Sequence, residues 1–289
     1  MQKSDLPKPL QTLLDISKVN RIQINLSKKD NDDTPSLISK IGGIGYLPMG
    51  EHYPTTSDGT PLVLLAQLNF RQISETVDIS QLPHPLPKQG ILQIYIDGQD
   101  DLYGCDLDDY LPHEKYQVRF WQDETLPLNT DELTKISEQL QSLEIDYLPF
   151  DAHHQYTMNF ILNTQSCGTN CFEYNHISQQ IDELKDCDVW NYLEEDLGID
   201  DPDEYFDVYD ECSGINEHQI LGYPNFTQTD PREYNEHLQG HILLLQIETD
   251  DMGENDIMWG DSGVANFFIH PDDLKNQDFS KLVYNWDCC

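Results

Sequence analysis

The sequence predicts a chain that mixes β-strands with a smaller number of helices and repeats its own order in two halves. Three observations predict it. A glycine-rich entry, Gly42-Gly43-Ile44-Gly45-Tyr46-Leu47-Pro48, has a counterpart in Leu221-Gly222-Tyr223-Pro224. An apolar run with a late glutamine follows each entry: Leu62–Leu68 with Gln67, and Ile242–Ile247 with Gln246. A Gly-led run comes third, Gly90–Asp97 and Gly263–His270. The offsets are 177 from Gly45 to Gly222, 179 from Gln67 to Gln246 and 173 from Gly90 to Gly263. Three matches in one order point to an internal duplication with pseudo-twofold halves.

The elements follow in chain order. Residues 1–40 read as a helical or extended segment that packs on the body. A single body spans 41–289: half one at about 41–125, an acidic insertion at about 126–217, and half two at about 218–289. Leu62–Leu68 and Ile242–Ile247 are nearly continuous apolar runs, the pattern of strands covered on both faces. Gly90–Asp97 alternates, with Ile91, Gln93, Tyr95 and Asp97 on one face. Tyr116–Trp121 and Gln155–Leu162 are rich in aromatic and branched residues and read as strands. Asn129-Thr130-Asp131-Glu132 reads as a capped helix start, with Leu133, Ile136, Leu140 and Leu143 at helical spacing. Asp230-Pro231-Arg232-Glu233 predicts a second helix, ending near Gln239-Gly240. Pro271–Leu274 opens a short turn of helix, and Ser178–Lys185 and Val189–Asp196 read as further helices.

Charge sets limits on function. The 289 residues carry 53 acidic and 16 basic side chains, a formal charge of −37. Such a balance excludes sequence-independent nucleic-acid binding, which depends on Lys and Arg neutralising phosphates. It equally disfavours an anionic membrane surface. The longest apolar run, Leu62–Ala66, is far short of the roughly 20 residues that span a bilayer. No secretory signal is read at the N-terminus. The seven cysteines, an odd number, read as reduced thiols of a cytoplasmic protein. Acidity is concentrated at Asp182–Glu211, where 14 acids face one Lys185.

Several motifs have a chemical and a structural reading. Gly260-Asp261-Ser262-Gly263 resembles a serine-nucleophile loop, but no matching histidine context lies upstream, so a tight turn is expected. Cys167-Gly168-Thr169-Asn170-Cys171 has thiolates at short spacing yet lacks a second ligand pair for zinc. Asp97-Gly98-Gln99-Asp100-Asp101 starts like a calcium loop but has Leu102 and Asp108 where Gly and Glu are needed. No metal and no cofactor are therefore expected. Ligand-binding candidates are Gln67, His218, Tyr223, Gln246, Trp259 and Asp261, polar or aromatic groups beside the glycine loops or at matching strand ends. A buried Gln must be hydrogen-bonded, so Gln67 and Gln246 are also read as cross-links.

The set Gly42-Gly43 through Leu47-Pro48, Leu64-Leu65-Ala66-Gln67-Leu68-Asn69, Gly222-Tyr223-Pro224, Leu243-Leu244-Leu245-Gln246-Ile247, Trp259-Gly260-Asp261 and Phe267-Phe268-Ile269 resembles the YwqG-like family of bacterial proteins. The resemblance covers about Lys40 to the C-terminus. Gly45 and Tyr53 stand where the family commonly has Pro and Trp. The resemblance implies an α+β fold, mainly of antiparallel sheets with peripheral helices, and brings no activity with it.

Two function classes follow. The first is a non-enzymatic, cytoplasmic interaction protein, immunity- or inhibitor-like, capturing a basic protein through Glu194, Glu195, Asp196, Asp200, Asp201, Asp203 and Glu204. The second is a small-molecule or metal-dependent enzyme with its site between the two halves.

Overall fold

The computed structural model describes residues 2–30, 36–185, 187–250 and 256–289. Asp186 of the insertion block and Asp32 and Asp33 of the N-terminal segment lie outside them. In chain order the strands are β1 (Val19–Asp30), β2 (Lys40–Gly42), β3 (Val63–Asn69), β4 (Ile91–Ile96), β5 (Tyr116–Trp121), β6 (His154–Gln165), β7 (Gln219–Ile220), β8 (Ile242–Glu248), β9 (Val264–Ile269) and β10 (Val283–Asp287). The helices are α1 (Lys8–Ile16), α2 (Phe70–Thr76), α3 (Thr130–Ser142), α4 (Glu173–Ser178), α5 (Val189–Asn191), α6 (Asp203–Ser213) and α7 (Pro271–Asn276). Helix and strand are thus mixed, with a few helices against the sheet.

All ten strands join one sheet in the order β10-β9-β8-β7-β1-β6-β2-β3-β4-β5. Every pairing is antiparallel. β5 and β10 are opposite ends of that order, yet the rings of Tyr116 and Tyr284 lie 5.0 Å apart. The Tyr116 hydroxyl also donates to the Leu282 carbonyl at 3.0 Å. The sheet must therefore curl until its two ends share side chains. One apolar core fills the curl, drawing on Ile22 and Ile24 of β1, Ile94 of β4, Leu244 and Leu245 of β8 and Phe267 of β9.

β1 goes beyond a segment packed on the body. It runs through the centre of the sheet, paired with β6 over its whole length and with β7 on its other side. Ile22 and Ile24 are buried while the intervening Gln23 is partly exposed, the period-two pattern of a strand. Helix α1 precedes it and buries Leu10, Leu13 and Leu14. Those residues meet Leu184 and Leu193 of the insertion, and Val208 and Tyr209 of α6, in a second, separate core.

Local signals explain most element ends. Asn129 caps α3 by accepting the Glu132 N–H, and Asn69 caps α2 by accepting from Arg71 and Gln72. The helix expected after Asp230 is a single 3-10 turn, Pro231–Glu233. Arg232 is buried there in a salt bridge to Asp230, and the Asn235 side chain accepts the His237 N–H. That local bond competes with helix continuation. Ser178–Lys185 resolves into the end of α4 and a 3-10 turn, and Val189–Asp196 is helical, widening to a π turn over Tyr192–Asp196.

Candidate functional site

The two glutamines near the ends of the apolar strands organise the loops. Gln67 accepts the Tyr46 N–H at 2.8 Å and donates to the carbonyls of Ser36 and Ile38 at 2.9 and 2.7 Å. Gln246 accepts the Asn225 N–H at 2.7 Å and donates to the carbonyls of Ile215 and Glu217 at 2.8 and 3.0 Å. Each partner in the second set stands 179 positions after its counterpart, the same separation as Gln67 and Gln246. Next to them, Gln93 donates to the Tyr46 carbonyl and Asn266 to the Asn225 carbonyl. The irregularity that β3 carries between Leu64 and Ala66 recurs in β8 between Leu243 and Leu245. The same offset aligns Gly43 with Gly222, both at positive φ, and not Gly45 with Gly222 as spacing alone had it. Pro224 stands at the place of Gly45.

Buried amides satisfied on both ends serve first as struts. Gln67 and Gln246 are fully buried, on β3 and β8. His218 joins the second set: its Nδ1 accepts the Glu248 N–H at 3.0 Å and its Nε2 lies 3.6 Å from the Asp250 carboxylate. Tyr223 is partly exposed, and its carbonyl accepts from Gln165 and Gln219. Trp259 is fully buried in the core, edge-on to Tyr103. Asp261 is exposed in the turn that leads into β9. The structure therefore brings His218 and Gln246 together, and leaves Gln67, Tyr223, Trp259 and Asp261 in other surroundings.

The residue that completes the His218–Gln246 group is Glu248, which sequence reasoning missed. It accepts from the side chains of Asn225 at 3.1 Å and Gln246 at 2.8 Å. Burial, with some help from the negative Asp287, pushes its carboxyl up to about 8. The signal was available, because Glu248 lies two residues after Gln246 on one strand face. A carboxylic acid that stays protonated at neutral pH can donate a proton or a hydrogen bond. It sits beside a histidine whose Nδ1 is already used as an acceptor.

A cleft of about 710 Å³ opens elsewhere, between the loop after β2 and the segment from α3 to β6. Gly43, Ile44, Leu140 and Ile145 line it, and Asp146, Asp151 and His153 bring polar groups to it. None of the six ligand candidates lines it.

The other motifs are accounted for locally. Gly260–Gly263 is a tight turn closed by the Gly263 N–H on the Trp259 carbonyl at 2.7 Å, with Ser262 at φ 69°. Asp97 accepts the Gln99 N–H, and Asp100 is held by Lys115 at 2.5 Å and by the Gly104 N–H. Among the described residues no group of three or more His, Cys, Asp or Glu side chains is placed to hold a metal.

The insertion presents a different surface. Glu194, Glu195, Asp196, Asp200, Asp201, Asp203 and Glu204 are all exposed. None of them makes a salt bridge among the described residues. Trp190 is 39% exposed and stacks on Phe206 at 5.7 Å, and Leu197 is 45% exposed close by in sequence.

A family model, the domain of unknown function DUF1963, matches residues 39–288. The chain belongs to the DUF1963 family. No curated protein matches it. The DUF1963 match starts just before β2, so β1 and α1 lie outside it although β1 is central to the sheet. Among the described residues of this DUF1963 protein, no helix is long and apolar enough to cross a membrane.

Proposed function

We propose that the chain is a non-catalytic, YwqG-like binding protein of the cytoplasm, built from two duplicated halves, whose acidic insertion captures a basic protein partner. An immunity or inhibitor role against a basic effector is the concrete form of this reading. The observation that carries it is the insertion surface: seven exposed carboxylates without salt bridges among the described residues, beside the half-exposed Trp190 stacked on Phe206. Complementary charge steers encounter and rejects wrong partners. An aromatic anchor inside a polar surround supplies the contact energy that charge alone does not. The duplicated design is supported by the matched bonds of Gln67 and Gln246, which use a glutamine strut twice in the same way.

The test uses the full chain and a labelled Lys- and Arg-rich peptide carrying one Leu, with binding read by anisotropy at low and high salt. Saturable binding that weakens with salt is expected. It should weaken tenfold or more, about 1.4 kcal/mol, when Glu194, Glu195, Asp200, Asp201, Asp203 and Glu204 are changed to their amides. Equal binding by the wild type and the amide variant, or no binding at low salt, sinks the reading.

The enzyme reading draws on Glu248 and His218. Its test is a screen of the wild type against Glu248→Gln for hydrolysis of ester and phosphoester probes. A rate above background in the wild type, lost in the variant with the fold intact, would favour it over binding.

A further inference from the structure

We infer that Cys167 and Cys171 form an intramolecular disulfide, a redox-sensitive clasp in the loop between the end of β6 and α4. The two sulfurs lie 2.7 Å apart and both residues are buried. That separation is inside the roughly 3.5–4.0 Å at which even carbon atoms rest against each other, and within reach of the S–S bond length of about 2.05 Å.

The loop between them is held in place at nearly every residue. The Cys167 N–H donates to the Ser17 hydroxyl at 3.1 Å, and the Cys167 carbonyl accepts from the Tyr209 hydroxyl at 2.9 Å. Gly168 lies under Ile215, where an added Cβ would meet a side-chain carbon at 2.5 Å. The Thr169 N–H donates to Asp210 at 2.8 Å, Asn170 donates to Asn225 at 2.9 Å, and the Phe172 N–H donates to Asp230 at 3.0 Å. These anchors belong to α6, to the loop before β8 and to the segment before β1. The sulfurs are therefore presented to each other by a prearranged frame, and a staple there ties the frame together.

The chemistry balances as thiol–disulfide exchange with a glutathione-type disulfide. One cysteine thiolate attacks that disulfide and releases one glutathione thiolate. The second cysteine thiolate then displaces the other glutathione and closes the S–S bond. The protein loses two electrons, the small disulfide gains them, and the two cysteine protons end on the released thiols. Burial pushes the Cys171 thiol up, so exchange in the folded state is slow and waits on local opening. The remaining cysteines are placed differently: Cys105 is buried, with its sulfur on the Tyr284 carbonyl at 3.4 Å. Cys187 and Cys288 are partly exposed, and Cys212 and Cys289 exposed.

The experiment equilibrates the full chain in oxidised or reduced glutathione, denatures it, alkylates free thiols and maps the tryptic peptides. No Lys or Arg separates the two cysteines, so one peptide carries both. After oxidation that peptide should be two hydrogens lighter and unalkylated, and after reduction it should carry two alkyl groups. The oxidised chain should melt about 4 °C higher. A variant carrying Cys187→Ser, Cys212→Ser, Cys288→Ser and Cys289→Ser should behave the same way, which removes scrambling with the exposed and partly exposed cysteines as an explanation and needs no change at the pair itself. Two alkylated thiols after oxidation would overturn the clasp. So would glutathione adducts without ring closure, or a stoichiometric zinc ion that blocks oxidation of the reduced chain.

Discussion

Glu248 shows how one residue turns a strand end into a titrating group. Its carboxyl titrates near 4.5 unfolded and is pushed up to about 8 by burial in the folded chain. Below the lower value both states hold the proton, so the group is silent. Between the two only the folded state holds it, so stability falls as pH rises, and above the higher value the loss is complete. Glu248→Gln keeps an acceptor for Asn225 and Gln246 and removes the charge. It should stabilise the chain above pH 8 by about 1–3 kcal/mol and leave stability near pH 4 unchanged, as read by urea titrations across pH. Equal wild-type and variant stability at both ends would show that Glu248 is solvated after all. Gly263 is a steric case. A Cβ there would lie 1.9 Å from the Asp287 carbonyl oxygen. No rotamer relieves a backbone clash, so Gly263→Ala should cost more than about 3 kcal/mol, measurable as a lost or strongly lowered thermal transition. The strut role of Gln67 and Gln246 was legible from residue type and burial alone. Glu248 was passed over because nothing local marks its burial: the covering loop of Asn225 comes from elsewhere in the sequence.

At the scale of elements, what could be read depended on whether the signal was local. The strands β3, β4, β8 and β9 are apolar and bounded by glycine, and α3 carries its own cap, so each was found near its true limits. β1 and α1 were not. Asn20, Arg21, Gln23 and Asn25 dilute the apolar pattern of β1, and its partner β6 lies more than a hundred residues away, where no window of sequence reaches. The helix after Asp230 was over-read because the cap and proline are real while Arg232 is drawn into a salt bridge with Asp230. The placement of β1 has a direct consequence. The family match begins at residue 39, but a chain cut there loses the strand that joins β7 to β6. Two strand edges and the part of the core that Ile22 and Ile24 cover would be exposed together. Residues 39–289 alone should therefore show no cooperative melting transition and should aggregate, while the full chain melts cooperatively. A cooperative transition in the truncated chain would mean that β7 and β6 close on each other without β1.

For the molecule as a whole, the formal charge of −37 opposes compaction. Cations are few, and some are spent inside: Arg21 and Arg232 are both buried in salt bridges, with Glu217 and with Asp230 and Glu173. The surface is therefore acidic over most of its extent, and its most crowded part is the insertion, which has its own core with α1. Two consequences of this charge have opposite signs. Raising ionic strength from about 10 mM to about 150 mM shortens the Debye length from about 30 to about 8 Å. Self-repulsion between distant carboxylates is then screened, and the folded chain should melt a few degrees higher. Capture of the proposed basic partner would rely on the same unscreened field and should weaken over the same range. If melting temperature rises with salt while peptide binding falls, the acidity is a costly feature kept at the docking face. If melting temperature rises and binding does not respond, the charge belongs to the surface in general, and the insertion holds no partner through it.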